Sequence, residues 1–333
     1  MSGPDPRHTG SVAGLRVLVT GGQGFMGFNL VRSLQASGAR PSVLSLSWPS
    51  LPESGESTLD GVAFFKGDIR DSVVVDEAVE GCDLIFHLAG KSGSVASNHS
   101  PQDDLDVNSR GTLTLLDSCR RINPGVKVVF PSSRLVYGHA ARLPVTEDTP
   151  TAPISIYGIH KLAAEQYLLL YQRLYGLRVS ILRITNPYGP FQRPEQNRYG
   201  IVNWFIHEAI HDRTLTVYGE GAQLRDYIHV DDVVKAMLAA GVSTQADGRI
   251  FNVGSGRGVS FVNMAEHIVK AAGRGRVRHV AWPADAAVVE TGDFVADATL
   301  ISQSLGWNAM IPLEAGIEDV ISRYTKLGLG SLT

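Results

Sequence analysis

Residues 15–27 pass from an apolar, β-branched run, LRVLVT, through a glycine cluster into a helical pattern. The cluster, Thr20-Gly21-Gly22-Gln23-Gly24-Phe25-Met26-Gly27, places glycines at 21, 24 and 27. Phe25, Met26, Leu30, Val31 and Leu34 then repeat at helical spacing over 25–36, and Gly38 closes that helix as its C-cap. Glycine allows the tight turn and lets a ligand's pyrophosphate approach the backbone at a helix N-terminus, where amides and dipole favour an anion. A glycine pattern alone is weak evidence, but here the strand before it and the helix after it are both present. The turn reads as a dinucleotide-binding loop.

Further apolar runs follow at 42–46, 62–66, 83–89, 126–130 and 178–183, with helix-like stretches such as 72–80, 106–122 and 157–175 between them. That alternation implies βαβ units and a doubly wound parallel sheet of the α/β class. Continuous runs such as LIFHLA and VKVVF fit strands covered on both faces. The second half differs: 185–200, TNPYGPFQRPEQNRYG, predicts a long irregular loop, and helical patterns follow at 201–211, 230–241, 261–272 and 313–326. The expected division is a disordered tail at 1–13 and a dinucleotide-binding domain at 14–185 with about 226–256. A smaller substrate-binding lobe would take 186–225 and 257–330.

Composition removes several classes. A net charge of −3 does not suit a generally basic nucleic-acid binder. No apolar run approaches the roughly 18 residues of a membrane helix. The segment MSGPDPRHTGSV lacks the apolar core of a secretory signal. Two cysteines, Cys82 and Cys119, read as reduced buried thiols of a cytoplasmic protein, and the sequon Asn98-His99-Ser100 means little without secretion.

Tyr157 and Lys161 stand four apart at the start of a helix and share one face. Free tyrosine, with a pKa near 10, is a poor base at neutral pH, so an ammonium and a nicotinamide cation would have to stabilise its phenolate. The Y-x-x-x-K spacing is common by chance, and Ser133 after VKVVFPS could equally be a turn serine. His207-Glu208-Ala209-Ile210-His211 matches the zinc motif H-E-x-x-H, but no third ligand follows and the surrounding pattern is wrong for it, so no metal is expected.

Together TGGQGFMG, GDIRD (67–71), HLAG (87–90), VNSRGTLTLLD (107–117), FPSSRLVYG (130–138), YGIHK (157–161), LRITNPYGP (182–190), QLRDYIHVDDVV (223–234) and FNVGSG (251–256) resemble the extended short-chain dehydrogenase/reductases. The likeness is to the NAD-dependent sugar-nucleotide epimerase/dehydratase branch, over about residues 14–326. It implies a Rossmann-type sheet with a smaller C-terminal substrate-binding lobe. It also implies that Gly21, Gly24, Phe25 and Met26 bind the cofactor pyrophosphate, Asp68 and Ile69 the adenine, and that Leu88, Ala89 and Gly90 flank the cofactor. Lys161 would bind its ribose and lower the pKa of Tyr157, with Ser133 and Tyr157 facing the reacting sugar hydroxyl. Asn186, Val202, Asn203, Val217, Tyr218 and Arg225 match positions that hold the nucleotide diphosphate. The helices at 106–122 and 157–175 would form a homodimer interface.

Three departures bear on function. The ribose carboxylate expected about 20 residues beyond the glycine loop is replaced by Ser45. No arginine follows for a 2′-phosphate, and Arg40 lies at the strand's other end, so NAD and NADP both stay open. Dehydratases of the branch carry Asp-Glu after the catalytic hydroxyl residue, to protonate the leaving hydroxyl and remove the C5 proton; here Arg134-Leu135 stand there, against a dehydratase and, less firmly, a decarboxylase. The branch's R-x-G-D is here Glu290-Thr291-Gly292-Asp293, losing an arginine that commonly clamps the diphosphate. Either Arg225 with Arg193 or Arg198 compensates, or the substrate is unusual. What remains is an epimerase of a nucleotide-diphosphate sugar, usually acting at C4 through a keto intermediate. The alternatives are an NAD(P)H-dependent 4-keto-sugar-nucleotide reductase and a non-catalytic cofactor-sensing regulator.

Overall fold

In a computed structural model of the chain, residues 10–47, 59, 61–192 and 200–326 are described. The elements run β1 (Arg16–Thr20), α1 (Phe25–Ala36), β2 (Arg40–Ser45), β3 (Ala63–Lys66), α2 (Ser72–Val79), β4 (Leu84–His87), α3 (Ser94–His99) and α4 (Pro101–Asp104). A π-helical stretch, Leu105–Arg110, leads into α5 (Gly111–Ile122) and then β5 (Lys127–Ser133), a 3₁₀ turn Arg134–Val136, α6 (Ile156–Tyr175), β6 (Arg178–Ile184) and β7 (Asn186–Tyr188). The rest comprises α7 (Ile201–Ile210), β8 (Thr214–Tyr218), β9 (Leu224–His229), α8 (Val230–Val242) and β10 (Arg249–Val253). It ends with β11 (Gly258–Ser260), α9 (Phe261–Ala272), β12 (Arg276–Val280), α10 (Ala284–Ala287), α11 (Thr299–Leu305) and α12 (Leu313–Lys326).

Seven parallel strands form one sheet in the order β10-β6-β5-β4-β1-β2-β3. Strand order reverses between β1 and β4, which opens a crevice at the carboxyl ends of those strands. Alternation along β1 explains why its middle, Val17–Val19, is apolar. Val17 and Val19 pack with Phe28, Leu34 and Met237 on one face, and Leu18 packs with Val79, Leu115 and Leu168 on the other. With both faces covered, no position on the strand can be polar without a partner. Helix α1 ends as its sequence predicts: Gly38, at φ +75°, donates to Gln35 O at 3.0 Å, and Ala39 N–H to Leu34 O at 3.0 Å, a Schellman closure.

A three-stranded sheet, β11-β9-β7, and the pair β12-β8 lie outside the main sheet. Around them α7, α9 and α12 bury Phe205, Ile206, Ile268, Ile317 and Val320. Two expectations are corrected. The segment at 185–200 is not wholly irregular, since Asn186–Tyr188 pairs in parallel with β9; residues 193–199 lie outside the described residues. Of the expected tail at 1–13, residues 1–9 also lie outside, but Val12 is 5% exposed and packs in the core with Leu15 and Leu34, so ordered packing starts earlier. No helix among the described residues is long and apolar enough to cross a membrane.

Candidate active site

The carboxyl ends of the strands gather most of the residues singled out above. At the end of β1, Gly21 has φ +69°, and a Cβ there would stand 2.7 Å from Ala89 N. A Cβ on Gly27 would collide with Gly21 O. These two glycines let the loop, the first turn of α1 and the segment that follows β4 touch. Helix α1 begins at Phe25 and Met26 with Gly24 as N-cap, no side-chain cap and no acidic residue in its first turn. Its leading amides therefore face the crevice with their partial positive charge unanswered by the protein. Ser45, at the end of β2, is 5% exposed, and its Oγ has no hydrogen-bond partner. A buried hydroxyl left open beside a glycine cradle suits the sugar end of a dinucleotide. Asp68 lies just past β3, where Arg70 binds both its oxygens at 2.9 and 2.6 Å and holds its carboxyl below the usual range. Ile69 is buried beside it.

Leu88, Ala89 and Gly90 follow β4 and are tied to the glycine loop: Leu88 N–H donates to Thr20 O at 3.1 Å, and Ala89 N–H to Thr20 Oγ1 at 3.1 Å. A polar chain unseen in the sequence runs on from there. Thr20 Oγ1 lies 2.9 Å from His87 Nδ1, His87 Nε2 lies 3.0 Å from Thr112 Oγ1, and the Thr112 hydroxyl donates to Asn108 O at 2.6 Å. Because Thr112 uses its only proton on that carbonyl, His87 Nε2 must carry the proton and Nδ1 must accept from Thr20. Burial, assisted by Lys161, lowers the His87 pKa to about 3, so the ring stays neutral. The one sequence cue was a histidine inside the otherwise apolar LIFHLA.

Ser133 ends β5, and Tyr157 lies in the first turn of α6. Ser155 caps that helix by accepting from Gly158 N–H at 3.1 Å, and Tyr157 N–H donates to Ser97 Oγ at 2.9 Å. Gly158 packs so closely that a Cβ would stand 2.7 Å from Leu135 O. This contact seats the helix start against the turn that follows Ser133, whose hydroxyl is near enough to the Tyr157 phenol to favour its ionisation. Burial pushes that phenol up, Ser133 opposes the shift and Asp104 adds to it. In the protein alone burial therefore outweighs the lowering the sequence led us to expect. Lys161 Nζ donates to Pro131 O at 2.8 Å and lies 4.2 Å above the Phe130 ring. Burial brings its pKa down to about 8 against the pull of Glu165 and Asp104, which leaves it charged at neutral pH. Asp104, 3% exposed, meets His160 Nδ1 at 2.6 Å; Asp104 belonged to none of the motifs, and His160 stood inside YGIHK with no role assigned to it.

The positions expected to hold a diphosphate divide into two groups. Asn186 and Arg225 lie on the paired strands β7 and β9: Asn186 accepts from Arg134 Nε at 3.2 Å and donates to Asp226 O at 2.8 Å. Arg225 pairs with Glu290 and donates to Gly292 O at 2.6 Å. The carboxylate at 290 thus meets an arginine. Arg193 and Arg198, the other candidates for compensation, lie outside the described residues. Tyr218 is half-buried against Trp282, 5.3 Å between ring centroids. By contrast the side chains of Val202 and Val217 are core, 2% and 0% exposed. Asn203 uses its amide on Gly189 O at 2.6 Å and Tyr324 Oη at 2.8 Å. These three shape the lobe's interior.

His207 and His211 lie on α7 with ring centroids 4.3 Å apart, and His211 Nδ1 is 2.8 Å from the His207 carbonyl oxygen. The described residues hold no group of three His, Cys, Asp or Glu placed to bind a metal.

The model of the NAD dependent epimerase/dehydratase family matches residues 17–254. A putative UDP-glucose 4-epimerase of Methanocaldococcus jannaschii is 32% identical over 311 residues, covering 92% of this chain and 97% of its own. A dTDP-glucose 4,6-dehydratase of Streptomyces niveus is 31% identical over 321 residues, 93% of each chain. The crystal structure of a Thermus thermophilus UDP-glucose 4-epimerase complex with NAD superimposes with a TM-score of 0.83 at 30% identity, covering 93% of this chain and 99% of that one. With the strand order, the glycine cradle and the Ser133–Tyr157–Lys161 grouping already in place, the match settles the kinship: the chain belongs to the NAD dependent epimerase/dehydratase family.

Proposed function

We propose that the protein is an NAD-dependent epimerase of a nucleoside-diphosphate sugar, inverting a hydroxyl-bearing carbon, C4, through a transient keto sugar. The observation that carries this reading is the grouping of Ser133, Tyr157 and Lys161 with Arg134 and Leu135 where a dehydratase would need an acid and a base. Leucine can move no proton, so the chemistry left to these side chains is at a single hydroxyl.

In this reading Gly21, Gly24 and the first amides of α1 hold the cofactor pyrophosphate, Ser45 and Asp68 border its adenosine half, and Leu88–Gly90 wall it in. Bound NAD supplies a hydride acceptor that can return the hydride. Ser133 donates to the reacting sugar oxygen and holds it against Tyr157. Tyr157 takes the hydroxyl proton as the carbonyl forms and gives it back when the opposite face is reduced. Lys161, anchored by Pro131 O, binds the cofactor ribose and places a positive charge near the phenolate that Tyr157 becomes. Residues 14–185 with 226–256 serve the cofactor, and 186–225 with 257–330 serve the substrate, which Asn186, Tyr218 and Arg225 border. The protein works as a cytoplasmic homodimer through α5 and α6.

The test is cofactor analysis of the purified protein, then incubation with a panel of sugar nucleotides and no added cofactor. Bound NAD with redox-neutral isomerisation supports the proposal, and NMR identifies the inverted carbon. Stoichiometric consumption of added NADPH, with no turnover without it, would replace it with a ketoreductase. Cofactor binding without any sugar-nucleotide binding would revive a regulator.

A further inference from the structure

Arg134, directly after Ser133, is a buried arginine whose hydrogen-bond partners among the described residues are neutral. It is 8% exposed. Its Nε donates to Asn186 Oδ1 at 3.2 Å and one Nη to Thr291 Oγ1 at 2.9 Å, both neutral acceptors. Its guanidinium carbon lies 5.3 Å from the centre of the Phe294 ring. Among the described residues no carboxylate comes within ion-pair distance of it. Glu290, which could have answered it, is held by Arg225 and by Gly292 N–H at 2.9 Å. Burial and the neighbouring Arg225 lower the Arg134 pKa to about 9, so this charge is held at a cost. A buried cation with neutral partners is unfavourable unless an anion joins it.

We propose that Arg134 is a diphosphate-binding residue of the substrate site, supplying from the end of β5 the guanidinium that the resemblance implies at position 290. This rests on the nucleotide-sugar reading above. Two observations choose the diphosphate. Arg134 and Arg225 both bond to the 290–292 segment, and Arg134 also bonds to Asn186, so it lies at the edge of the crevice where the resemblance puts the phosphates. Of five guanidinium N–H donors two are used, and the planar fork that remains suits phosphate oxygens. The two departures at 134 and 290 become one event, a cation moved from one side of the pocket to the other.

The experiment titrates uridine diphosphate, thymidine diphosphate and the glucose and glucuronate conjugates of each into cofactor-loaded protein by calorimetry. Wild type is compared with Arg134→Met, Arg134→Lys and the double variant Arg134→Met/Glu290→Arg. Cofactor content and melting temperature serve as folding controls. The expected result is that Arg134→Met weakens the preferred diphosphate at least about tenfold, that the lysine variant falls between, and that the double variant recovers most of the loss. Should the methionine variant not fold, the lysine and double variants carry the comparison. Unchanged diphosphate affinity in the variants overturns the proposal. Loss confined to the glucuronate conjugates also overturns it, and assigns Arg134 to a sugar carboxylate instead. A wild-type protein that binds none of these ligands overturns the nucleotide-sugar reading itself.

Discussion

Glu165 and Arg183 form an ion pair at 2.7 Å with their side chains 0% and 5% exposed. Arg183 Nε adds a bond to Glu165 Oε1 at 3.1 Å, and Ser132 Oγ donates to the same oxygen at 2.5 Å. Glu165 also raises the Lys161 pKa, so the pair lies beneath the proposed catalytic lysine. Removing one partner strands the other in the interior, so Glu165→Ala should cost about 3–5 kcal/mol in urea unfolding. A loss below about 1 kcal/mol would show that the site relaxes around the orphaned arginine.

Tyr157→Phe keeps the ring and removes the only atom that can exchange a proton with a sugar hydroxyl. Epimerisation should fall by about 10²- to 10⁴-fold with bound cofactor and melting temperature little changed. Ser133→Ala should show a smaller loss. Steady-state rates measured beside cofactor content distinguish lost chemistry from lost NAD.

His87 gives the stability a pH dependence with a definite sign. Folded, it stays neutral down to about pH 3, while the unfolded chain protonates it near 6.5. Between those values the unfolded state binds more protons, so its contribution is fully present above about 6.5 and is lost as pH falls. The slope is about 1.4 kcal/mol per pH unit. His87→Gln should unfold with a shallower acid slope than wild type, as urea midpoints at pH 7, 6 and 5 would show. Parallel slopes would mean that the imidazole charges without opening the fold.

Gly27→Ala places a methyl group against Gly21 O. The glycine loop must shift, and the variant should purify with little or no NAD while far-ultraviolet dichroism stays close to wild type. Retention of full cofactor would show that the loop tolerates the displacement.

On α6, Leu170, Leu174 and Tyr175 are 38%, 57% and 48% exposed, and Ile122 at the end of α5 is 41% exposed. Apolar side chains left open on neighbouring helices favour a second copy as their cover. Leu170→Lys with Leu174→Lys should halve the mass seen by light scattering. An unchanged mass would place the interface elsewhere, and a monomeric wild type would remove it.

What could be read from sequence was what contiguous residues encode. The strand, glycine cluster and helix at 15–36 are a local pattern, and so is the pairing of Tyr157 with Lys161 one helical turn apart. Helices α3 and α4 were not legible, because SVASNHSPQDD has no apolar period; Ser97 and Asp104 are held there by bonds to Tyr157 and His160, far along the chain. The Thr20–His87–Thr112 chain draws one residue from each of three segments, so no spacing announces it. Val202, Asn203 and Val217 show the opposite limit: motif position picked them out as binding residues, but their side chains are buried in the core around α7 and β8.

The segment from Glu290 to Ala296 works as a clasp. Arg225 takes Glu290 and Gly292 O from it, Arg134 takes Thr291, and the buried carboxylate of Asp226 accepts from Ala296 N–H at 3.1 Å. Val145, far upstream, completes a parallel bridge with Ala296. During synthesis the amino-terminal sheet can form as soon as its strands emerge. The charged groups of β9 and of the turn after β5 have to wait until residue 296 is outside the ribosome. A nascent chain would therefore present its glycine loop well before the clasp closes on Arg225 and Arg134, and the order of translation becomes an order of assembly.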